Sequence, residues 1–166
     1  MLFAQRYDSP LGEMLLACDE VGLMGAWFVD QKYFPQNLSY ECSSHPILTQ
    51  TGRWLDDYFR GVVPHSLPPL HLVGSEFRLQ VWTSLMEIPY GSLVCYSDIA
   101  RRLAVRRGLS SLSSQAVGGA VGHNPISIIV PCHRVVGANG SLTGYAGGLW
   151  RKEQLLALEH SKVCSN

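Results

Sequence analysis

Residues 123–136 read HNPISIIVPCHRVV. A mostly β-branched, apolar run from Ile126 to Val130 ends on Pro131, and Cys132, His133 and Arg134 follow at once. The run reads as a buried strand stopped by a proline that cannot donate to a ladder. Behind it stand a nucleophile, a base and a cation. A free cysteine usually just packs as a small apolar residue. The other reading is a thiol at the mouth of a pocket, activated by its neighbours. The rest of the chain chooses between them.

The bulk composition narrows the classes. At 166 residues the chain makes one large domain or two small ones, and with 46% apolar and 16% charged residues long disorder is excluded. No apolar run reaches bilayer-spanning length, and the N-terminal MLFAQRYDSPLG lacks the basic-then-apolar pattern of a signal peptide. The five cysteines, Cys18, Cys42, Cys95, Cys132 and Cys164, are odd in number and scattered, with no CxxC. Neither a disulfide framework nor a zinc knuckle is written here, and the expected location is a reducing cytoplasm. Cys18, Cys42 and His45 make no four-ligand pattern, so no metal and no other cofactor is expected. Cys95 reads as a buried packing residue and Cys164 as a tail thiol.

Net charge is zero, but the halves differ. Residues 1–72 carry 4 Lys/Arg against 8 Asp/Glu, and residues 73–166 carry 9 against 5. A basic C-terminal half is the footprint of a surface that meets phosphate.

The first third reads as a β-meander: LFAQRY, the turn DSPLG, EMLLACD, a turn at Gly22, then LMGAWFV. KYFPQNLSYECSSHP has no period and reads as loop. From Pro46 to Gly61, Leu48, Trp54, Leu55, Tyr58 and Phe59 fall near helical spacing, with proline at the start and glycine at the end. VVPHSLPPLHLVG is the expected linker, dividing an N-terminal domain (1–72) from a C-terminal one (73–166). There Ser75 caps a helix with the stripe Phe77, Val81, Leu85 and Ile88, stopping before Pro89. SLVCY is a short extended piece. Ser97 or Asp98 caps a second helix, and after the loop RRGLSSLSS comes QAVGGAVG, a small-residue helix ended by Gly122. The last two helices form a helix-turn-helix pair, whose second member suits a nucleic-acid groove.

NPISIIVPCHRVVG, GSLTGYAGG and LLALE, with FRLQVWTSLMEIPYG and CYSDIARRLA upstream, resemble the C-terminal domain of the O6-alkylguanine-DNA alkyltransferases over residues 73–160. The N-terminal third fits that family's sheet domain in outline. The resemblance implies an α/β fold. A small antiparallel sheet domain, ribonuclease H-like in outline, would precede a helical helix-turn-helix domain of winged-helix type. It implies direct DNA repair, the alkyl group passing irreversibly from guanine O6 to Cys132 in one turnover, with O4-alkylthymine a second candidate base.

The roles follow residue by residue from that resemblance. Glu159, His133 and a water would relay the Cys132 proton, the water being needed because neighbours on an extended backbone point apart. Tyr96 would crowd the target phosphate and Asn124 would act as a hinge. Gln115, Ala116, Gly118, Gly119 and Ala120 would meet the minor groove of double-stranded DNA while the base flips out. The carbonyls of Cys132 and Val135 and the amide of Ala146 would hold the guanine beside Tyr145, with Arg134 and Lys152 as supporting basic residues. No membrane and no obligate protein partner are implied, and a monomer is expected.

The sequence departs from the family at Gln115, where members carry an arginine, and in its longer loop with Arg106 and Arg107. Three rival functions fit the sequence less well, since Cys132, His133 and Glu159 stand together. A non-catalytic lesion binder would lack the cysteine, a methylation sensor would carry a further domain, and a cysteine hydrolase would turn over without DNA.

Overall fold

The structure, a computed structural model, describes residues 1–164, with side chains through Ser161. It divides into two compact units. Met1–Val73 with Pro125–Ile129 make the first, and Gly74–Asn124 with the chain from Val130 onward make the second.

In the first unit β1 (Phe3–Ser9), β2 (Gly12–Cys18) and β3 (Leu23–Phe28) form the expected antiparallel meander. The β2–β3 turn closes on Asp19, whose carboxylate accepts from the Val21 and Gly22 amides at 2.8 and 3.0 Å. Every residue of β2 from Met14 to Cys18 is buried, so both faces of the sheet are covered. On one face Ala4, Leu15 and Ala17 lie under Trp27, Phe34, Leu38 and Tyr40. The segment read as loop thus supplies a lid of aromatics, and it holds β4 (Glu41–Cys42), parallel to β1 at the sheet edge.

Helix α1 (Pro46–Phe59) follows, with Pro46 in its first turn and the His45 ring accepting from the Ile47 amide at 3.2 Å. His45 is therefore a cap, Cys18 lies in the core and Cys42 on the surface. The linker is partly woven into the sheet: the Leu23 amide donates to Pro69 O at 2.7 Å and the His71 amide to Leu23 O at 2.8 Å.

The expected strand before Pro131 does not form. Only Ile126 makes a bridge, to Ala26. The Ala26 amide donates to Pro125 O and the Ser127 amide to Ala26 O, both at 2.9 Å, which places Pro125–Ile129 in the first unit rather than in the C-terminal domain. The chain then reverses: the Ile129 amide donates to Ser127 O at 2.8 Å around Ile128 at φ +71°. A β-branched residue in the left-handed region is strained by about 1–3 kcal/mol. Complete burial of Ile126, Ile128 and Ile129 offsets that strain. Burial had selected apolar, β-branched residues here, and the same residues read as strand.

The second unit holds α2 (Glu76–Leu85), β5 (Val94–Cys95), α3 (Tyr96–Arg106), α4 (Ser114–Gly122), β6 (Val135–Val136, parallel to β5) and α5 (Leu149–Cys164). Ser75 caps α2, accepting from the Arg78 amide at 3.2 Å. Helix α3 starts earlier than expected. Cys95 is its N-cap, and Asp98 sits three residues inside, accepting from the Cys95 amide at 3.3 Å. Cys95 is accordingly half-buried, its thiol donating to Gly137 O at 3.6 Å. The Cys164 side chain lies outside the described residues. Ser113 caps α4, accepting from the Gln115 and Ala116 amides. The indole of Trp82 on α2 ties α4 down, donating to Ala120 O at 2.8 Å. No described helix is long and apolar enough to cross a membrane.

Candidate active site

Pro131 builds the site locally. At φ −83° and ψ 63° it is the middle of a three-residue turn in which the Cys132 amide donates to Val130 O at 2.8 Å. Cys132–Arg134 then wind into one 3-10 turn, closed by the Arg134 amide on Pro131 O and the Val135 amide on Cys132 O. The backbone is helical here, not extended. Successive side chains step around an axis, so thiol, imidazole and guanidinium leave in three directions.

His133 is completely buried, and its Nε2 stands 2.6 Å from Glu159 Oε2 on α5. A carboxylate only accepts, so Nε2 carries the proton and the neutral ring presents Nδ1 as a bare acceptor. Among the described residues Nδ1 is buried with no hydrogen-bond partner. Burial pushes the imidazolium down, against the pull of Glu159, so the ring rests neutral. Glu159 also takes Arg134 by two nitrogens, at 2.7 and 3.2 Å, and the Gly91 amide at 3.3 Å. Burial by itself would raise its carboxyl. The bonds from His133 and Arg134 outweigh that and hold it well below the usual carboxylate range. Arg134 completes its fork on Ile88 O at 2.8 Å, over the Tyr90 ring.

Cys132 is 7% exposed. Burial pushes its thiol up, and the Asn124 side chain and the charge of Lys152 pull it down. Asn124 also donates to Val130 O at 2.8 Å, so one buried amide ties the end of α4 to the cysteine turn. Lys152 is fully buried, with Nζ donating to the carbonyls of Val135, Thr143 and Gly144 at 2.6, 3.1 and 3.2 Å. Burial lowers its ammonium to about 8, with Cys132 opposing. The Tyr96 hydroxyl donates to the same Thr143 O at 3.1 Å. Lysine and tyrosine together fix the start of the 144–148 loop, whose Gly144 and Gly148 take φ of +55° and +93°. The result is a shielded thiol, a neutral base oriented by a paired carboxylate, and a clamped loop. A thiol, a base and a group that orients the base are the parts that nucleophilic catalysis needs.

The outer side of α4 is different in kind. Gln115, Ala116 and Gly119 are exposed, and a methyl group at Gly119 or Gly122 would meet nothing within 4 Å. At Gly118 it would only touch Tyr96, at 3.8 Å. Internal packing therefore does not require these glycines, each of which costs a helix about 0.5–1 kcal/mol relative to alanine.

A family model described as the DNA binding domain of 6-O-methylguanine DNA methyltransferase matches residues 76–161, and one for its ribonuclease-like domain matches residues 2–68. The chain belongs to the O6-methylguanine DNA methyltransferase family. Methylated-DNA–protein-cysteine methyltransferases of Mycolicibacterium paratuberculosis and Methanosarcina acetivorans share 42% and 43% identity with this methyltransferase. The alignments cover 96% and 93% of its chain and 93% and 96% of theirs. The crystal structure of Mycobacterium tuberculosis OGT in complex with DNA matches it with a TM-score of 0.86 at 39% identity, over 96% of this chain and 94% of that one. The expected architecture, a sheet domain followed by a helical domain, is that of these neighbours.

Of the residues singled out in the sequence, the methyltransferase pairs His133 with Glu159 and sets Asn124 and Lys152 beside Cys132, with Val135 and Tyr96 joined to Lys152 through the clamp. Tyr145 and Ala146 lie half-buried in the 144–148 loop. Arg134 and Lys152, the expected supporting basic residues, are interior and engaged with Glu159 and with backbone carbonyls. One residue differs from expectation. Ala120 is buried, its carbonyl taken by Trp82, so it presents no side chain outward. What the sequence reading lacks is the partner through which Arg134 gives its support, the Glu159 carboxylate. One signal was available: Lys152, Leu155 and Glu159 share a helical face, and a carboxylate on a buried face needs a buried cation.

Proposed function

We propose that this methyltransferase repairs O6-alkylguanine in DNA directly, with Cys132 as the alkyl acceptor. The observation that carries the reading is the bare, buried Nδ1 of His133, held to its task by Glu159. The Cys132 S–H proton passes through a bridging water to Nδ1, and the Glu159 carboxylate stabilises the imidazolium that forms. The thiolate attacks the alkyl carbon, the S–C bond forms, and the C–O6 bond breaks with its electrons on O6. The purine takes back the proton. Atoms and charge balance without a cofactor, and the thioether leaves the protein consumed after one turnover.

A base stacked in a duplex cannot reach a thiol that is almost wholly buried, so the lesion is flipped out. Helix α4 enters the minor groove with Gln115, Ala116, Gly118 and Gly119. The guanine sits against Tyr145, its O6 on the Ala146 amide and its amine toward the carbonyls of Cys132 and Val135. Tyr96 crowds the target phosphate. The protein acts as a monomer, and its unpaired thiols fit a reducing cytoplasm.

The test is intact mass after mixing with a duplex carrying one O6-methylguanine, followed by peptide mapping. One methyl per molecule on the Cys132 peptide is expected, with transfer falling more than about a thousandfold in Cys132→Ser. Tight lesion binding without mass gain would overturn the reading.

A further inference from the structure

We propose that the arginine ridge Arg101, Arg102, Arg106 and Arg107, and not helix α4, supplies the phosphate contact of this protein on duplex DNA. The inference rests on the reading that DNA is the partner, and it assigns the surface that holds it.

Binding to a polyanion takes its sequence-independent strength from cations that displace counterions. Helix α4 has none, since Ser114–Gly122 contains no ionisable side chain. The described side chains of the second unit include eight Lys/Arg, and three of these turn inward. Arg134 is held by Glu159, Arg151 donates to Gly147 O at 3.0 Å, and Lys152 serves three carbonyls. Of the remaining five, Arg78 stands apart and the other four fall within seven residues at the end of α3. All four are exposed.

The ridge keeps a positive surplus after its own pairs are counted. Asp98 engages Arg101, and Glu87 engages Arg106 at 2.8 Å. Both are exposed pairs, the kind that contributes little and yields readily to a stronger anion. Among the described residues no carboxylate lies within 4 Å of Arg102 or Arg107. Arg102 still lies near enough to help hold the Glu87 carboxyl down, after Arg106. Glu76 lines the shallow groove beside Arg107, and even so four guanidiniums face three carboxylates. The Arg107 guanidinium is seated over the Phe77 ring at 5.6 Å, so part of its ordering precedes binding.

Placement agrees with charge. Six residues carry the chain from Arg107 to the Ser113 cap, a span of at most about 21 Å. Ridge and open α4 face are therefore close enough to share one stretch of duplex, with α4 uncharged in the groove and the arginines on the backbone beside it.

The experiment measures affinity for an undamaged duplex across a salt series, together with methyl transfer from the free O6-methylguanine base. Arg102→Glu with Arg107→Glu should lower the slope of log K against log salt by about 2, each lost phosphate contact being worth about 0.9. Transfer from the free base should be unchanged, which reports that the fold and Cys132 are intact. Arg78→Glu should leave the slope unaltered. A wild-type slope in the double variant overturns the proposal, as does a slope lost on changing Arg78 alone. If the wild-type protein itself shows no salt-dependent duplex binding, the DNA reading falls and the ridge with it.

Discussion

The cysteine turn and helix α4 stand ten residues apart in the chain and solve opposite problems. In the turn every charge is buried and matched: Arg134 on Glu159, Glu159 on His133, Lys152 on three carbonyls. On α4 there is no charge to match, and the outer glycines leave room that no described side chain fills. The turn is specified from inside, by the desolvation that makes an unpaired ion expensive. Internal packing does not specify the outer face of α4, where a Cβ at Gly119 or Gly122 meets nothing described within 4 Å. The same contrast recurs across the thickness of α4, because its inner face is fastened by Trp82.

The sharpest way to break this contrast is Glu159→Gln. It strands the Arg134 guanidinium in the interior, and stability should fall by about 3–5 kcal/mol in urea denaturation. Methyl transfer at Cys132 should slow by about 10²–10⁴, the usual worth of an oriented base. Combining it with Arg134→Gln should recover much of the stability while transfer stays slow, since the first loss comes from the orphaned charge and the second from the untethered imidazole.

The pH dependence has a definite sign. The folded carboxyl of Glu159 lies below its unfolded value of 4.5, so its stabilisation is complete above that pH and is lost as pH falls through the folded value. Glu159→Gln should flatten this acid limb. A limb that persists in the variant would assign it to other carboxylates.

A smaller effect separates the two sides of α4. Trp82→Phe leaves Ala120 O without its donor and should cost about 1–3 kcal/mol of stability, with transfer from the free base unchanged once folded. Smallest in stability, and opposite in sign, is Gly119→Ala. With nothing within 4 Å of the new methyl, the fold should gain about 0.5–1 kcal/mol. Affinity for duplex DNA should nevertheless fall by roughly tenfold, about 1.4 kcal/mol. A variant that gains stability and binds DNA equally well would show that this face meets nothing.

Much of this is legible in the amino-acid order. The meander, α1 and α2 follow from alternation and helical spacing, with punctuation by Gly22, Pro46 and Ser75 that acts within a turn of chain. The stretch before Pro131 could not be read in this way. Ile126–Ile129 has the composition of a strand, because burial and β-branching select the same residues, and only pairing to Ala26 reveals a reversal with Ile128 at φ +71°. Ser97 and Asp98 both suit the cap of α3 by residue type, and the Cys95 amide on the Asp98 carboxylate puts the cap at Cys95 instead.

By itself, the sequence determined the reactive inventory: a cysteine beside a histidine, a glutamate on the last helix, and a glycine-rich helix after an arginine-rich one. Those are properties of covalent order and short-range spacing. The tertiary structure decided which charges are spent inside the protein and which remain for a partner. Arg134 and Arg107 look alike in the chain, yet one meets Glu159 twenty-five residues away and the other lies over Phe77 at the surface. Burial sets the worth of a charge, and burial is a property of the folded chain alone.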